Sequence, residues 1–114
     1  MKIDQLERAA RAWPILAKQA NKKGQPFTYG ELCLKLGLHH RAAGWFLGVI
    51  QRYCQAEGLP PLQALAVNKS PRLPGSGYVG YIRTHKAHQA ALQKVYYPEK
   101  PWPITAPNFK SKLN

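Results

Sequence analysis

The stretch that decides the fold covers residues 27–58 and is FTYGELCLKLGLHHRAAGWFLGVIQRYCQAEG. Thr28 precedes Glu31 by three residues, which is the capping-box spacing found at helix starts. Gly37 is placed to end that short helix. A longer helix is then predicted over about residues 40–57. Two helices joined by a short turn predict a helix-turn-helix unit.

The longer helix has two different faces when each residue advances by about 100° around its axis. One face is apolar and holds Ala43, Phe46, Leu47, Ile50 and Cys54. The opposite face holds Arg41, Gly44, Trp45, Gly48, Arg52 and Gln55. Each interior glycine costs roughly 1 kcal/mol of helix stability relative to alanine. Two explanations remain open: the glycines let the backbone approach a DNA groove, or they let another helix, of this protein or of a partner, pack closely.

The segment after this helix predicts a strand at residues 62–67 and a basic loop at residues 68–78. The loop residues that could contact phosphates or a minor groove are Lys69, Arg72, Ser76 and Tyr78. The other explanation is an ordinary solvated loop. The order of helix, short helix, long helix, strand and basic loop predicts a winged helix-turn-helix, mainly α with a small β wing.

The charge balance of the chain favours a polyanionic partner. The 114 residues include 17 Lys and Arg against five Asp and Glu, for a formal net charge of +12. Between Gly58 and Pro98 there is no acidic residue. In such a basic chain, Trp45 could stack on a base or a sugar, or it could be half-buried against the N-terminal helix.

The two ends of the chain differ in pattern. Residues 3–23 predict a helix that Asp4 begins, and Pro14 either kinks it or starts a second helix. Residues 98–114 contain four prolines and no periodicity, which is typical of a tail or a strap across the surface. We therefore predict one winged-helix domain at residues 1–97 and a Pro-rich C-terminal tail at residues 98–114.

No pattern of catalytic or metal-binding residues is present. Cys33 and Cys54 fall at apolar helix positions and are expected to be buried thiols. His85 and His88 could share a helix face as metal ligands, but without acidic neighbours we expect solvent-exposed histidines. The acidic residues form no carboxylate pair. We expect a non-enzymatic protein without cofactor or metal, and, without a signal peptide or membrane span, a cytoplasmic location.

The motifs FTYGELCLKLGL and HHRAAGWFLG together resemble the DNA-binding core of alkylguanine-DNA alkyltransferases and alkyltransferase-like proteins. That family has a Thr/Ser-Tyr-Gly helix start, an Arg-Ala-Val-Gly helix, a reactive loop and a Gly-rich wing. Thr28 and Tyr29 match the first element, and Arg41 begins the second. The resemblance implies that Arg41 enters the base stack in place of a flipped nucleotide and that Tyr29 contacts the neighbouring phosphate.

The chain departs from this family at the reactive loop. The Pro-Cys-His-Arg sequence is absent, and residues 60–66 contain neither Cys nor His. Alkyl transfer needs an activated thiolate, so this chain is not expected to be an alkyltransferase. The loop also lacks the Trp-His-Arg or Ala-His-Arg replacement of the alkyltransferase-like proteins. The resemblance therefore implies a DNA-binding surface but no alkyl-transfer activity.

These observations favour a protein that binds duplex DNA through the third helix and the basic loop. A second hypothesis is a protein-protein module, an inhibitor or adaptor that docks on an acidic surface of a nucleic-acid enzyme. The segment YYPEKPWPITAP favours it, because extended Pro-rich segments are good groove ligands. RNA binding is a third hypothesis, since a basic surface with aromatic residues would serve it equally well.

Overall fold

The computed structural model describes residues 4–75 and 82–113. The described chain is mainly helical with one small parallel sheet, which confirms the prediction of a mainly α protein. Its helices are α1 Gln5–Asn21, α2 Tyr29–Leu36, α3 Ala43–Ala56, α4 His85–Tyr96 and α5 Phe109–Leu113. Its strands are β1 Phe27–Thr28 and β2 Ala66–Val67, and 3₁₀ turns cover His40–Ala42 and Leu62–Leu65. None of the described helices is long and apolar enough to cross a membrane.

Helix α1 is one continuous helix with Pro14 inside it, so of the two alternatives at Pro14 the start of a second helix is wrong. Asp4 caps it by accepting a hydrogen bond from the backbone N–H of Glu7 at 3.1 Å. Its buried face is rich in alanine and consists of Ala9, Ala12, Trp13, Leu16, Ala17 and Ala20. The four alanines of this face let α1 and α3 pack closely along the core.

Helix α2 begins with the predicted capping box. The N–H of Thr28 donates to Glu31 Oε1 at 2.8 Å, and the N–H of Glu31 donates to Thr28 Oγ1 at 3.1 Å. Gly37 ends the helix at φ +70°, a left-handed conformation that glycine adopts without strain. The local prediction for α2 is confirmed at both ends.

The predicted helix over residues 40–57 begins with the 3₁₀ turn and continues as α3. Its predicted apolar face is confirmed, because Ala43, Phe46, Leu47, Ile50 and Cys54 are all buried. Helix α3 packs against α1, α5 and the 3₁₀ turn Leu62–Leu65. The inner face of α3 is thus fully used by the core.

The strand predicted at residues 62–67 is mostly wrong. Leu62–Leu65 is a 3₁₀ turn, and only Ala66–Val67 is extended, pairing in parallel with Phe27–Thr28. All four residues of the turn are buried, so no alternation of buried and exposed positions exists to favour a strand. In the described chain the sheet joins β2 to the start of α2 and is not the antiparallel hairpin of a wing.

The Pro-rich segment contributes to the same core as the rest of the chain. Trp102 and Phe109 are buried, and both pack edge-to-face against Trp13 with ring centroids 5.8 and 5.9 Å apart. Asn21 holds the backbone of Trp102 with two hydrogen bonds of 2.9 Å, one to its N–H and one to its carbonyl. The segment therefore crosses α1 and α3 as a strap with buried anchors.

Candidate functional site

The predicted contact residues of the third helix lie together on the outer face of α3 and its preceding turn. We call this set the α3 outer surface, and it consists of Arg41, Gly44, Trp45, Gly48 and Arg52. Gly48 is partly buried, and the other four are exposed. At about 1.5 Å per residue, the set extends over roughly 16 Å. The surface is long enough to follow several phosphates of one DNA strand.

The backbone around Arg41 is fixed by its neighbours. The N–H of Arg41 donates to Nδ1 of His39 at 3.2 Å, and the Cys33 thiol lies 3.8 Å from the carbonyl oxygen of His40. The rings of His39 and His40 lie beside each other with centroids 4.2 Å apart. Among the described residues, the guanidinium of Arg41 makes no hydrogen bond or ion pair. The backbone of Arg41 is thus held in place, while its guanidinium has no partner among the described residues.

Trp45 and the two glycines give the α3 outer surface its shape. Trp45 is 70% exposed, so the alternative that it is half-buried against α1 is wrong. A Cβ added at Gly44 or Gly48 would meet nothing within 4 Å. Close packing of another helix from the described part of this chain therefore does not explain the glycines. Approach to a DNA groove and packing of a partner helix both stay predictions for these two positions.

The electrostatic character of this surface is positive. Arg41 and Arg52 are exposed, and no acidic residue lies among residues 32–56. Glu57, at the end of α3, is paired with Lys112 of α5, with Nζ and Oε1 3.4 Å apart. The carboxylate at the end of α3 is therefore partly neutralised by a cation from the strap.

The described part of the basic loop is folded against the start of α2. The N–H of Asn68 donates to the Leu73 carbonyl at 2.9 Å and closes the loop. The guanidinium of Arg72 donates to the carbonyl of Pro26 at 3.2 Å, while Lys69 is exposed without a partner among the described residues. Ser76 and Tyr78, which are predicted contacts, lie outside the described residues.

Thr28 and Tyr29 connect α2 to its surroundings. Thr28 supplies the cap of α2, and the hydroxyl oxygen of Tyr29 accepts a hydrogen bond from the N–H of Gly75. A Cβ on Gly75 would lie 3.3 Å from that hydroxyl, so a larger residue there would require the Tyr29 side chain to shift by a few tenths of an ångström. Both predicted contact residues thus lie where α2 meets the basic loop, whereas Arg41 follows the other end of α2. Helix α2 has eight residues, or about 12 Å of helix.

The expectation of two exposed histidines on α4 is wrong for one of them. His88 is buried, and its Nε2 lies 2.8 Å from the carbonyl oxygen of Ala64. His85 is exposed, with Nε2 2.9 Å from the carbonyl oxygen of Pro71 in the basic loop. The apolar stripe of Ala91, Leu92 and Val95 on α4 is the signal that could have placed His88 inside. No cluster of three metal-ligating side chains exists within the described ranges.

The two thiols are buried, as the sequence predicts. Burial raises the pKa of the Cys54 thiol to about 11 and also raises the pKa of the Cys33 thiol. Both thiols are therefore protonated near neutral pH. Because the thiolate is the nucleophile in alkyl transfer, neither sulfur is activated for that chemistry.

A groove of about 690 Å³ lies at the far end of α3, between the turn after that helix and the Pro-rich strap. Its lining includes Leu59, Tyr97, Pro101 and Pro103, with the cations of Lys94 and Lys100 beside the acidic Glu99. The side chain of Tyr97 is 65% exposed. The groove is thus distinct in composition from the α3 outer surface.

No protein-family model, no curated protein and no solved structure matches this chain. The resemblance to alkylguanine-DNA alkyltransferases therefore stays a prediction from the motifs around Thr28 and Arg41.

Proposed function

We propose that this protein binds duplex DNA, without chemistry of its own, by placing the α3 outer surface in the major groove. The observation that carries the proposal is the exposure of Arg41 and Arg52 on the outer side of α3 and its preceding turn, with Trp45 between them. Neither guanidinium has a hydrogen bond or ion pair among the described residues. A major groove about 12 Å wide admits one α-helix. Arginine donates to phosphates and, in two parallel hydrogen bonds, to guanine.

The glycines support this mode of binding over contact by long side chains alone. Gly44 and Gly48 leave open space beside Trp45, so the walls of a groove can approach the helix backbone. A duplex carries one negative charge per about 1.7 Å of its axis, which suits a chain of net charge +12. Shape and charge of the α3 outer surface thus favour the same partner.

The basic loop completes the proposed arrangement as the wing of a winged helix-turn-helix. Lys69 is free to reach a flanking phosphate, and the hydrogen bond of Arg72 to Pro26 holds the loop to the start of α2. The insertion of Arg41 into the base stack is a further part of the proposal, and it rests on the resemblance to the alkyltransferase-like proteins.

Fluorescence anisotropy with a labelled duplex across a salt series tests the proposal. We expect the logarithm of the affinity to fall steeply and linearly with the logarithm of the salt concentration. Arg41→Ala should weaken binding by about 1–3 kcal/mol if Arg41 contacts a base, or reduce the salt slope by about 1 if it contacts a phosphate. Lys110→Ala, an exposed cation on α5, is the matched control.

Equal losses from Arg41→Ala and Lys110→Ala would show that net charge alone drives binding and would contradict a specific role for α3. A single-stranded DNA and a structured RNA at matched salt extend the test to the other nucleic acids. Tighter binding of either one than of the duplex would replace duplex DNA as the partner.

A protein-protein module is the second candidate function, and the groove beside the Pro-rich strap favours it. Tyr97 and Ile104 are 65% and 48% exposed near that groove. Because the strap buries Trp102 and Phe109, its deletion would remove part of the core. Tyr97→Ala with Ile104→Ser is the appropriate test: lost partner capture with unchanged DNA affinity would favour this function.

A further inference from the structure

Binding to an uninterrupted duplex leaves Trp45 without an adequate contact. In a paired duplex, the faces of the bases are covered by their neighbours, and the major groove presents mainly hydrogen-bonding edges. The apolar contact available there is the thymine methyl group. An indole that is 70% exposed would gain far more from the open face of a base.

The surroundings of Trp45 suit such a base. Arg41 lies four residues before it and Arg52 seven residues after it, spacings that place all three side chains on one helix face. None of the three side chains has a hydrogen-bonding or ring partner in residues 4–75 and 82–113. Both cations are therefore free for phosphates on either side of the indole.

We propose that Trp45 stacks on an unpaired base, so that the preferred partner is a duplex that contains one, such as a bulged nucleotide. The inference rests on the proposed function, duplex DNA binding, and states which kind of duplex the protein prefers. A base without a pairing partner costs least to move out of the stack. Stacking of one base on an aromatic side chain should then improve affinity by about 5- to 150-fold over the paired duplex.

The experiment compares three labelled probes by anisotropy: a duplex with one bulged adenine, the same duplex fully paired, and its single strand. We expect the wild-type protein to bind the bulged duplex tightest. Trp45→Ala should remove most of the preference but retain binding to the paired duplex, because Arg41 and Arg52 are unchanged. Trp45→Phe, which can still stack, should keep a large part of the preference. Tyr97→Ala, at another exposed aromatic residue, is the matched control and should keep all of it.

Tryptophan fluorescence supplies a second readout. Of the three tryptophans, Trp13 and Trp102 are buried at 1% and 4% exposure, so acrylamide should quench mainly Trp45. The bulged duplex should protect the fluorescence of Trp45 from quenching by acrylamide, and the paired duplex should protect it less. Unfolding of a variant would be visible as new quenching of the buried pair.

The outcomes separate the two proposals. Equal affinity of the wild-type protein for bulged and paired duplexes would overturn the stacking inference and leave duplex binding intact. Loss of the preference in Tyr97→Ala but not in Trp45→Ala would assign the preference to another surface and overturn the inference as well. Absence of salt-dependent binding to any duplex would overturn the proposed function itself.

Discussion

The α3 outer surface and the Pro-rich strap contain the same types of residue in opposite situations. Trp45 is 70% exposed and lies between Arg41 and Arg52, which have no side-chain partner among the described residues, whereas Trp102 is 4% exposed. The indole N–H of Trp102 donates to the carbonyl of Val95 at 2.8 Å, and Lys112 of the strap pairs with Glu57. Residue type alone therefore does not distinguish an exposed surface from a core; the partners within the fold do.

The buried aromatic cluster shows what a tryptophan contributes when the fold supplies its partners. Trp13 packs edge-to-face on Tyr53 at 5.6 Å and on Trp102 and Phe109, and Tyr53 packs on Phe109 at 5.4 Å. Such pairs each contribute about 0.5–1.5 kcal/mol beyond the burial of their surface. The cluster joins α1, α3 and the strap. Trp45 has no comparable set of contacts.

The largest expected effect comes from removing the buried tryptophan of the strap. Trp102→Ala should lower the free energy of unfolding by about 3–5 kcal/mol, because it leaves a cavity and frees the strap from α1 and α4. Urea denaturation followed by circular dichroism measures the loss. Under conditions where the variant is folded, its affinity for duplex DNA should equal that of the wild type.

Trp45→Ala is the matched change on the other side of the comparison. Since the side chain of Trp45 is largely solvated, its free energy of unfolding should change by no more than about 0.5 kcal/mol. A large destabilisation by Trp45→Ala, or none by Trp102→Ala, would contradict the distinction between the two regions.

The parts of the fold that could be predicted are those set by neighbouring residues. The capping box of Thr28 and Glu31 depends on a three-residue spacing, and both of its hydrogen bonds are present. The two faces of α3 depend only on helical periodicity, which also placed Trp45 on the outer face. Local rules therefore sufficed for α2 and for most of the candidate site.

The parts that could not be predicted depend on partners far away in sequence. Asn21 fixes the backbone of Trp102 across 81 residues, and no local pattern in the strap indicates that contact. His88 is held inside by the carbonyl of Ala64, 24 residues earlier. Ala64 belongs to the 3₁₀ turn that was predicted as a strand. The burial of this turn comes from α1, α3 and α4 together. Tertiary contacts therefore determine the positions of Trp102 and His88 and the conformation of the 3₁₀ turn.

The glycines of the α3 outer surface give the next largest effect, with opposite signs for folding and binding. Gly44→Ala and Gly48→Ala each add a Cβ in open space, so each should raise the free energy of unfolding by about 1 kcal/mol. If the helix backbone approaches a DNA groove, both variants should bind duplex DNA more weakly. Anisotropy and urea denaturation on the same samples measure both quantities.

Gly37→Ala is the control for the stability measurement. Gly37 has φ +70°, so the added Cβ is strained there, and the free energy of unfolding should fall by about 1–2 kcal/mol. More stable Gly44→Ala and Gly48→Ala variants with undiminished affinity would show that the glycines do not serve close approach to DNA.

The smallest expected effect concerns Glu31, an exposed charged residue whose hydrogen-bond partner Thr28 lies within the fold. Hydrogen bonds with the backbone N–H of Thr28, and to a smaller extent with its side chain, hold the pKa of the Glu31 carboxyl below its usual value. The positive charges of Arg72 and Lys35 lower that pKa further. A lowered pKa in the folded state stabilises the fold above the ordinary pKa of 4.5, and this contribution is lost as the pH falls through the folded value.

Glu31→Gln separates the charge from the hydrogen bonds, because the amide oxygen can still accept from the N–H of Thr28. The wild-type protein should be slightly more stable than this variant near neutral pH, and the difference should shrink as the pH falls below the ordinary carboxyl value. Urea midpoints at several pH values measure the difference. A difference that stays constant with pH would mean that the ionised carboxylate contributes nothing, and that the cap of α2 depends on hydrogen-bond geometry alone.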